Sequence, residues 1–166
     1  MSLGVAFALT AEQTEELLAL SDDELRDSWL QDLEVDVDDS AWFQYDKAWD
    51  ELHRCLGDGE LVIQEAPPLA HAVFGSQPLM RDEDSATFAG YLPAADVPTV
   101  AARLRDVDRS WLRARFDALG RTDYAAYGGP LDDALFEHVW ACLERLREFY
   151  ARLVEGQAAL VFSVDG

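Results

Sequence analysis

Basic residues are scarce in this chain. Its 166 residues include one lysine, Lys47, and twelve arginines against 33 acids, a formal net charge of −20 at pH 7. A surface of that sign repels phosphate backbones, which excludes nonspecific nucleic-acid binding. Cysteine is scarce as well. Cys55 and Cys142 stand far apart in helical patterns, which predicts two free, buried thiols in a cytoplasmic protein instead of a disulfide framework. No apolar run reaches the ~18 residues that a membrane span requires. The stretch from Met1 to Phe7 has neither a basic start nor an apolar segment of signal-peptide length, so no secretory leader is expected. What is abundant points to a globular chain: 49% of residues are hydrophobic and 11% aromatic. This length fits one domain, 1–166, with an ordinary core.

The charge is unevenly spread. Residues 1–83 carry 20 acids and 4 bases, whereas residues 84–166 carry 13 acids and 9 bases. Three readings follow: a well-solvated acidic face, a surface that attracts a basic partner protein or mimics nucleic acid to block one, or a high-salt habitat.

Hydrophobic periodicity predicts an α+β fold with a small sheet of about three strands. Val5, Phe7 and Leu9 alternate with Ala6 and Ala8 over residues 4–9. Ala86 to Leu92 is the second strand, and Ala158 to Val164, apolar on both faces, is a central third. Helices are expected over 11–20, opened by a Thr10/Gln13 capping box, and over 22–33, opened by a second box at Ser21. The second helix should bury Leu25, Trp29 and Leu33. Further helices are expected over 47–56, 94–107 and 109–119, and a long one from Asp132 or Asp133 to just before Gly156. The segment 60–80 reads as irregular except for a short helix after Pro67-Pro68. A polar turn over 81–85 and a Tyr- and Gly-rich loop over 122–130 complete the chain.

Chemistry is densest between Trp42 and Leu56, with two of the five tryptophans, one histidine, one cysteine and the lysine. Asp46 suits a helix cap, and Trp49, Leu52 and Leu56 form a buried stripe. Asp46, Asp50 and His53 would share one side, allowing a carboxylate to orient the imidazole for acid–base work. Cys55 lies on nearly the opposite face from His53. The competing reading of His53 is a histidine at the edge of the stripe, bonded to a backbone carbonyl. Lys47 beside Asp46 could hold an anion, or pair with Glu51. His138 and Cys142, one turn apart, could both reach a metal with His53 as a third ligand, but no close pair of zinc-finger type exists and no metal site is assigned. The acidic run 34–40 lacks the glycine and glutamate of a calcium loop, and Gly128-Gly129-Pro130 lacks the lysine of a phosphate loop. Arginines at 103, 105, 109, 113, 115 and 121 should pair with the acidic first half or else form an anionic-ligand site, and Glu148 should pair with Arg152.

A larger pattern emerges from the same residues. Gly4-Val5-x-Phe7 opens the first strand, and Asp46-Lys47-x-Trp49-x-x-Leu52-His53-x-x-Leu56 follows. Then come Pro68-Leu69-x-x-Ala72-Val73-x-Gly75, Tyr91-Leu92 with Val97, Arg115-Phe116-Asp117, Phe149-Tyr150 and Gly156. With this set the chain resembles the bacterial YfbM-like family, a domain of unknown function, over nearly its whole length. It departs from the pattern near Tyr127, where members often show Tyr-Pro and a tryptophan soon after. The resemblance implies a single α+β fold and lends no catalytic residues.

The leading expectation is a non-enzymatic cytoplasmic binding module whose acidic surface engages a basic protein partner, with no cofactor, no nucleic acid and no membrane. The alternative is a small enzyme or small-molecule binder with a ligand pocket around Asp46, Lys47, Trp49, His53 and Tyr91. A structural homo-oligomer is the third reading.

Overall fold

The carboxyl-terminal strand is the axis of the molecule. In the computed structural model, which describes residues 3–63, 65, 67–82, 87–120 and 131–165, Ala159–Val164 (β5) lies at the centre of a five-stranded sheet. Leu160, Phe162 and Val164 enter the core on one face, and Ala159 and Val161 on the other. Gly4–Leu9 (β1) and Thr87–Leu92 (β4) flank it, both antiparallel. Trp42–Asp46 (β2) pairs antiparallel with β1, and Gln77–Asp82 (β3) with β4, giving the order β2-β1-β5-β4-β3.

Three strands were expected and five are present. Both additions are edge strands, and each is obscured locally. β2 holds only five residues, with Phe43 and Tyr45 inward and Gln44 outward, an alternation too short to distinguish from a helical turn. β3 contains Pro78, which an edge strand tolerates because it needs no inward N–H at that position.

Helices cover both faces. Ala11–Ala19 (α1) and Asp23–Asp36 (α2) lie over the face of Phe7, Leu9 and Val161. The other face carries Trp49–Leu56 (α3), Val97–Arg105 (α4), Arg109–Leu119 (α5) and Asp133–Glu155 (α6). The Thr10/Gln13 capping box forms as expected. At α2 the cap is Asp22, accepting from Leu25 N at 2.9 Å, and not Ser21. Leu30, not Leu25, is the buried leucine there: α2 turns Leu30 to the sheet, leaves Trp29 and Leu33 half-buried, and leaves Leu25 48% exposed. Asp108 and Asp132 cap α5 and α6 through Trp111 N and Leu135 N. Several of the chain's acids are therefore helix caps, where the unpaired amides favour a carboxylate.

The acidic run 34–40 is also more ordered than a linker, because α2 extends to Asp36 and a 3-10 turn follows over Asp39–Ala41. The pairings expected for the arginines are corrected too. Arg109 pairs with Glu137, and Arg113 with Asp117 and Asp133. These carboxylates lie on α5 and α6, close in space, and not in the first half of the chain. Arg152 Nε donates to the Ser40 carbonyl at 3.3 Å, in place of the expected Glu148 partner. Arg121, the loop 122–130 and most of the turn 81–85 lie outside the described residues.

Two glycines allow close approach. A Cβ on Gly4 would stand 2.8 Å from the Trp49 ring, and a Cβ on Gly90 would stand 1.9 Å from the Phe74 carbonyl oxygen. The first seats α3 against β1. The second seats the Phe74 turn on β4, where Ser76 N donates to Tyr91 O at 3.0 Å.

Candidate functional site

The five residues singled out from the sequence do not form one site: Trp49 and His53 both pack against Phe74, and Tyr91 lies on the other face of the sheet. Asp46 ends β2 with φ +52°, a left-handed conformation that Asp tolerates better than most side chains. It precedes α3 without capping it; the capping position is Ala48, with no side-chain bond. Lys47 is exposed, and Glu51, its expected partner, is buried. Tyr91 packs on the α1–α2 face of the sheet, opposite Trp49 and His53. Burial, with the nearby Asp96 carboxylate, raises its phenol pKa.

His53 is fully enclosed. Its ring stacks on Phe74, with centroids 3.7 Å apart and planes 12° from parallel. Nε2 lies 2.8 Å from the Val62 carbonyl. A carbonyl only accepts, so Nε2 carries the proton and Nδ1 is the bare nitrogen. Nδ1 is buried with no hydrogen-bond partner among the described residues. Burial lowers the imidazole pKa to about 4, against the opposing pull of the Val62 bond. Asp50, the carboxylate expected to orient the ring, instead bonds Arg54 Nε at 2.6 Å. Both thiols are free and buried, and burial pushes each to about 12, far from a reactive thiolate. His138 is exposed while Cys142 is buried, so the zinc-like pair does not converge. Among the described residues no group of three or more potential metal ligands occurs.

What α3 does build is a wall. Trp49 and Phe74 border a cleft of about 540 Å³ on the α3 side of the sheet. Its floor follows the strand register: Val164 of β5 is opposite Phe88 of β4, and Phe88 is opposite Arg81 of β3. The second wall is Leu61, Val62 and Ile63, held in place by the bond from His53 to Val62. Thr87 and Arg81 supply the polar side chains of the lining. Sequence reasoning found only Trp49 of this set. The apolar triplet 61–63 inside an otherwise polar irregular segment was the available signal.

The rest of the 42–56 stretch is tied into the fold. Arg115 Nε donates to the Cys55 carbonyl at 3.1 Å, at the carboxyl end of α3. Tyr150 of α6 donates its hydroxyl to the Ala72 carbonyl at 2.7 Å, just beyond the 3-10 turn Pro68–His71.

A second feature is the α1–α2 layer. Eleven of the twelve acids between Glu12 and Asp39 are exposed. The one base in that span, Arg26, is turned inward to the Leu20 and Leu79 carbonyls and to Asp23. Leu18, Leu25 and Val35 are exposed on the same layer, at 47%, 48% and 84%. Between α2 and the sheet a hollow of about 360 Å³ is lined in part by Asp27, Glu34 and Asp165.

Comparison with known proteins agrees with this architecture. A family model described as a domain of unknown function, DUF1877, matches residues 1–163. The crystal structure of YfbM from Escherichia coli, a protein of unknown function, is similar with a TM-score of 0.74 and 22% identity, over 98% of this chain and 99% of that one. At that identity the likeness extends to the fold alone. No curated protein matches the chain. Among the described residues no helix is long and apolar enough to cross a membrane.

Proposed function

Since the chain belongs to the DUF1877 family, a domain of unknown function, we propose its role from geometry: a non-enzymatic binding module whose α1–α2 layer engages a basic protein partner. The observation that carries this reading is the one-sidedness of that layer, where exposed carboxylates stand without an exposed cation among them. Solvation alone is served by mixed charge. A single-sign face instead steers an oppositely charged partner and orients it on arrival. The exposed Leu18, Leu25 and Val35 add apolar area within the acidic field, so the matching partner surface is basic with apolar side chains among its Lys and Arg. The hollow at Asp27, Glu34 and Asp165 has the lining to receive one cationic side chain. A non-enzymatic role is favoured by a neutral, enclosed His53 that, among the described residues, has no carboxylate bonded to it.

The test uses the whole protein as bait, beside a variant carrying Asp27→Asn, Asp32→Asn and Glu34→Gln. A basic protein retained by the wild type at about 50 mM salt, released near 0.5 M and not retained by the variant is the expected result. Partners recovered equally at both salt concentrations, or equally by the variant, would overturn the proposal.

A further inference from the structure

We infer that the cleft between α3 and the β3–β4 end of the sheet binds a small amphipathic monoanion, an alkyl or aryl body ending in one carboxylate that Arg81 holds. The volume of about 540 Å³ falls within the ~300–1,000 Å³ of small-molecule sites, which combine apolar walls with a few placed polar groups. Trp49, Phe74 and Phe88 give the lining aromatic surface. Leu61 and Val62 are exposed at the rim, at 38% and 52%, so apolar area faces water where a ligand body would cover it.

Charge selects the head group. Arg81 is exposed and pairs with no carboxylate among the described residues. Among the described residues it is the one arginine that lines this cleft. A guanidinium at the edge of an apolar cleft fits a planar carboxylate through two parallel N–H donors. One such group, in a molecule of net charge −20, favours a monoanion over a dianion, because the surrounding field opposes each added negative charge. The cleft lies on the opposite face of the sheet from the α1–α2 layer, so this site and the acidic docking face stand or fall separately.

Ile63 is the only isoleucine in the chain and lines the cleft. A sample labelled with 13C at the isoleucine δ1 methyl therefore gives one NMR signal, reporting from inside the site. Decanoate is the probe and decanol its neutral control. Decanoate should shift the signal saturably and bind about tenfold tighter than decanol. Arg81→Gln should bring decanoate to the level of decanol while leaving decanol unchanged. The variant changes an exposed side chain, so the fold is expected to persist. A signal that decanoate does not move would overturn the inference, as would equal affinity for the two probes or decanoate binding indifferent to Arg81→Gln.

Discussion

At the scale of residues, His53 shows how burial decides between two readings of one side chain. Its place at the edge of a packed helix stripe allowed either an acid–base role or a bond to a backbone carbonyl. The Val62 carbonyl is that partner, and the ring's stacking on Phe74 closes it from solvent. Neither Val62 nor Phe74 could be paired with His53 from spacing, because Val62 falls in a segment read as irregular and Phe74 at the end of a separate short helix, and nothing local sets how either packs on α3. A pH dependence follows. The folded pKa of about 4 lies below the ordinary imidazole value of 6.5, so the folded state binds fewer protons than the unfolded one. The contribution is complete above about pH 6.5 and is lost as pH falls towards 4, amounting to about 3 kcal/mol at pH 4. In a His53→Gln variant the amide can still donate to Val62, but nothing titrates at that position. Urea unfolding of the two proteins between pH 7 and pH 4 should show their stability difference shrinking by that amount as pH falls. A constant difference would mean the imidazole is not held neutral.

At the scale of elements, legibility followed locality. α5 was anticipated to the residue, and α6 to within one, because helical periodicity repeats every few positions and its caps, Asp108 and Asp132, are adjacent in sequence. β2 and β3 were not, because a strand at the sheet edge is defined by its neighbour: β2 pairs with β1, far back along the chain, and β3, although next to β4 in sequence, has its alternation broken at Pro78. Tertiary hydrogen bonds were equally invisible. Tyr150 reaches back 78 residues to the Ala72 carbonyl, and both residues are fully buried. Tyr150→Phe leaves that carbonyl without its donor, so denaturant unfolding should report a loss of about 1–3 kcal/mol with an unchanged m value. A loss near zero would show that the hydroxyl is dispensable and that ring packing alone anchors the turn.

At the scale of the whole molecule, charge matters more than any single contact. A net −20 on 166 residues repels itself in the compact state, and added salt screens that repulsion. Calorimetry from about 20 mM to 200 mM sodium chloride should show the melting temperature rising by roughly 3 °C, the equivalent of about 1 kcal/mol for a chain this size. A falling melting temperature would mean that the surface pairs of Arg109 and Arg113 outweigh the repulsion. The sequence by itself determined the fold class, most helix boundaries, the central position of the last strand, the burial of both thiols and the sign of the surface. Each of these depends on local periodicity or on composition. Only the tertiary structure decided the two edge strands, the inward turn of Arg26 that leaves one face without a cation, and the cleft beside Trp49. The reason is that the cleft is assembled from residues 49, 61–63, 74, 88 and 164, and their meeting depends on strand pairing and on glycine contacts at Gly4 and Gly90 that no local pattern encodes.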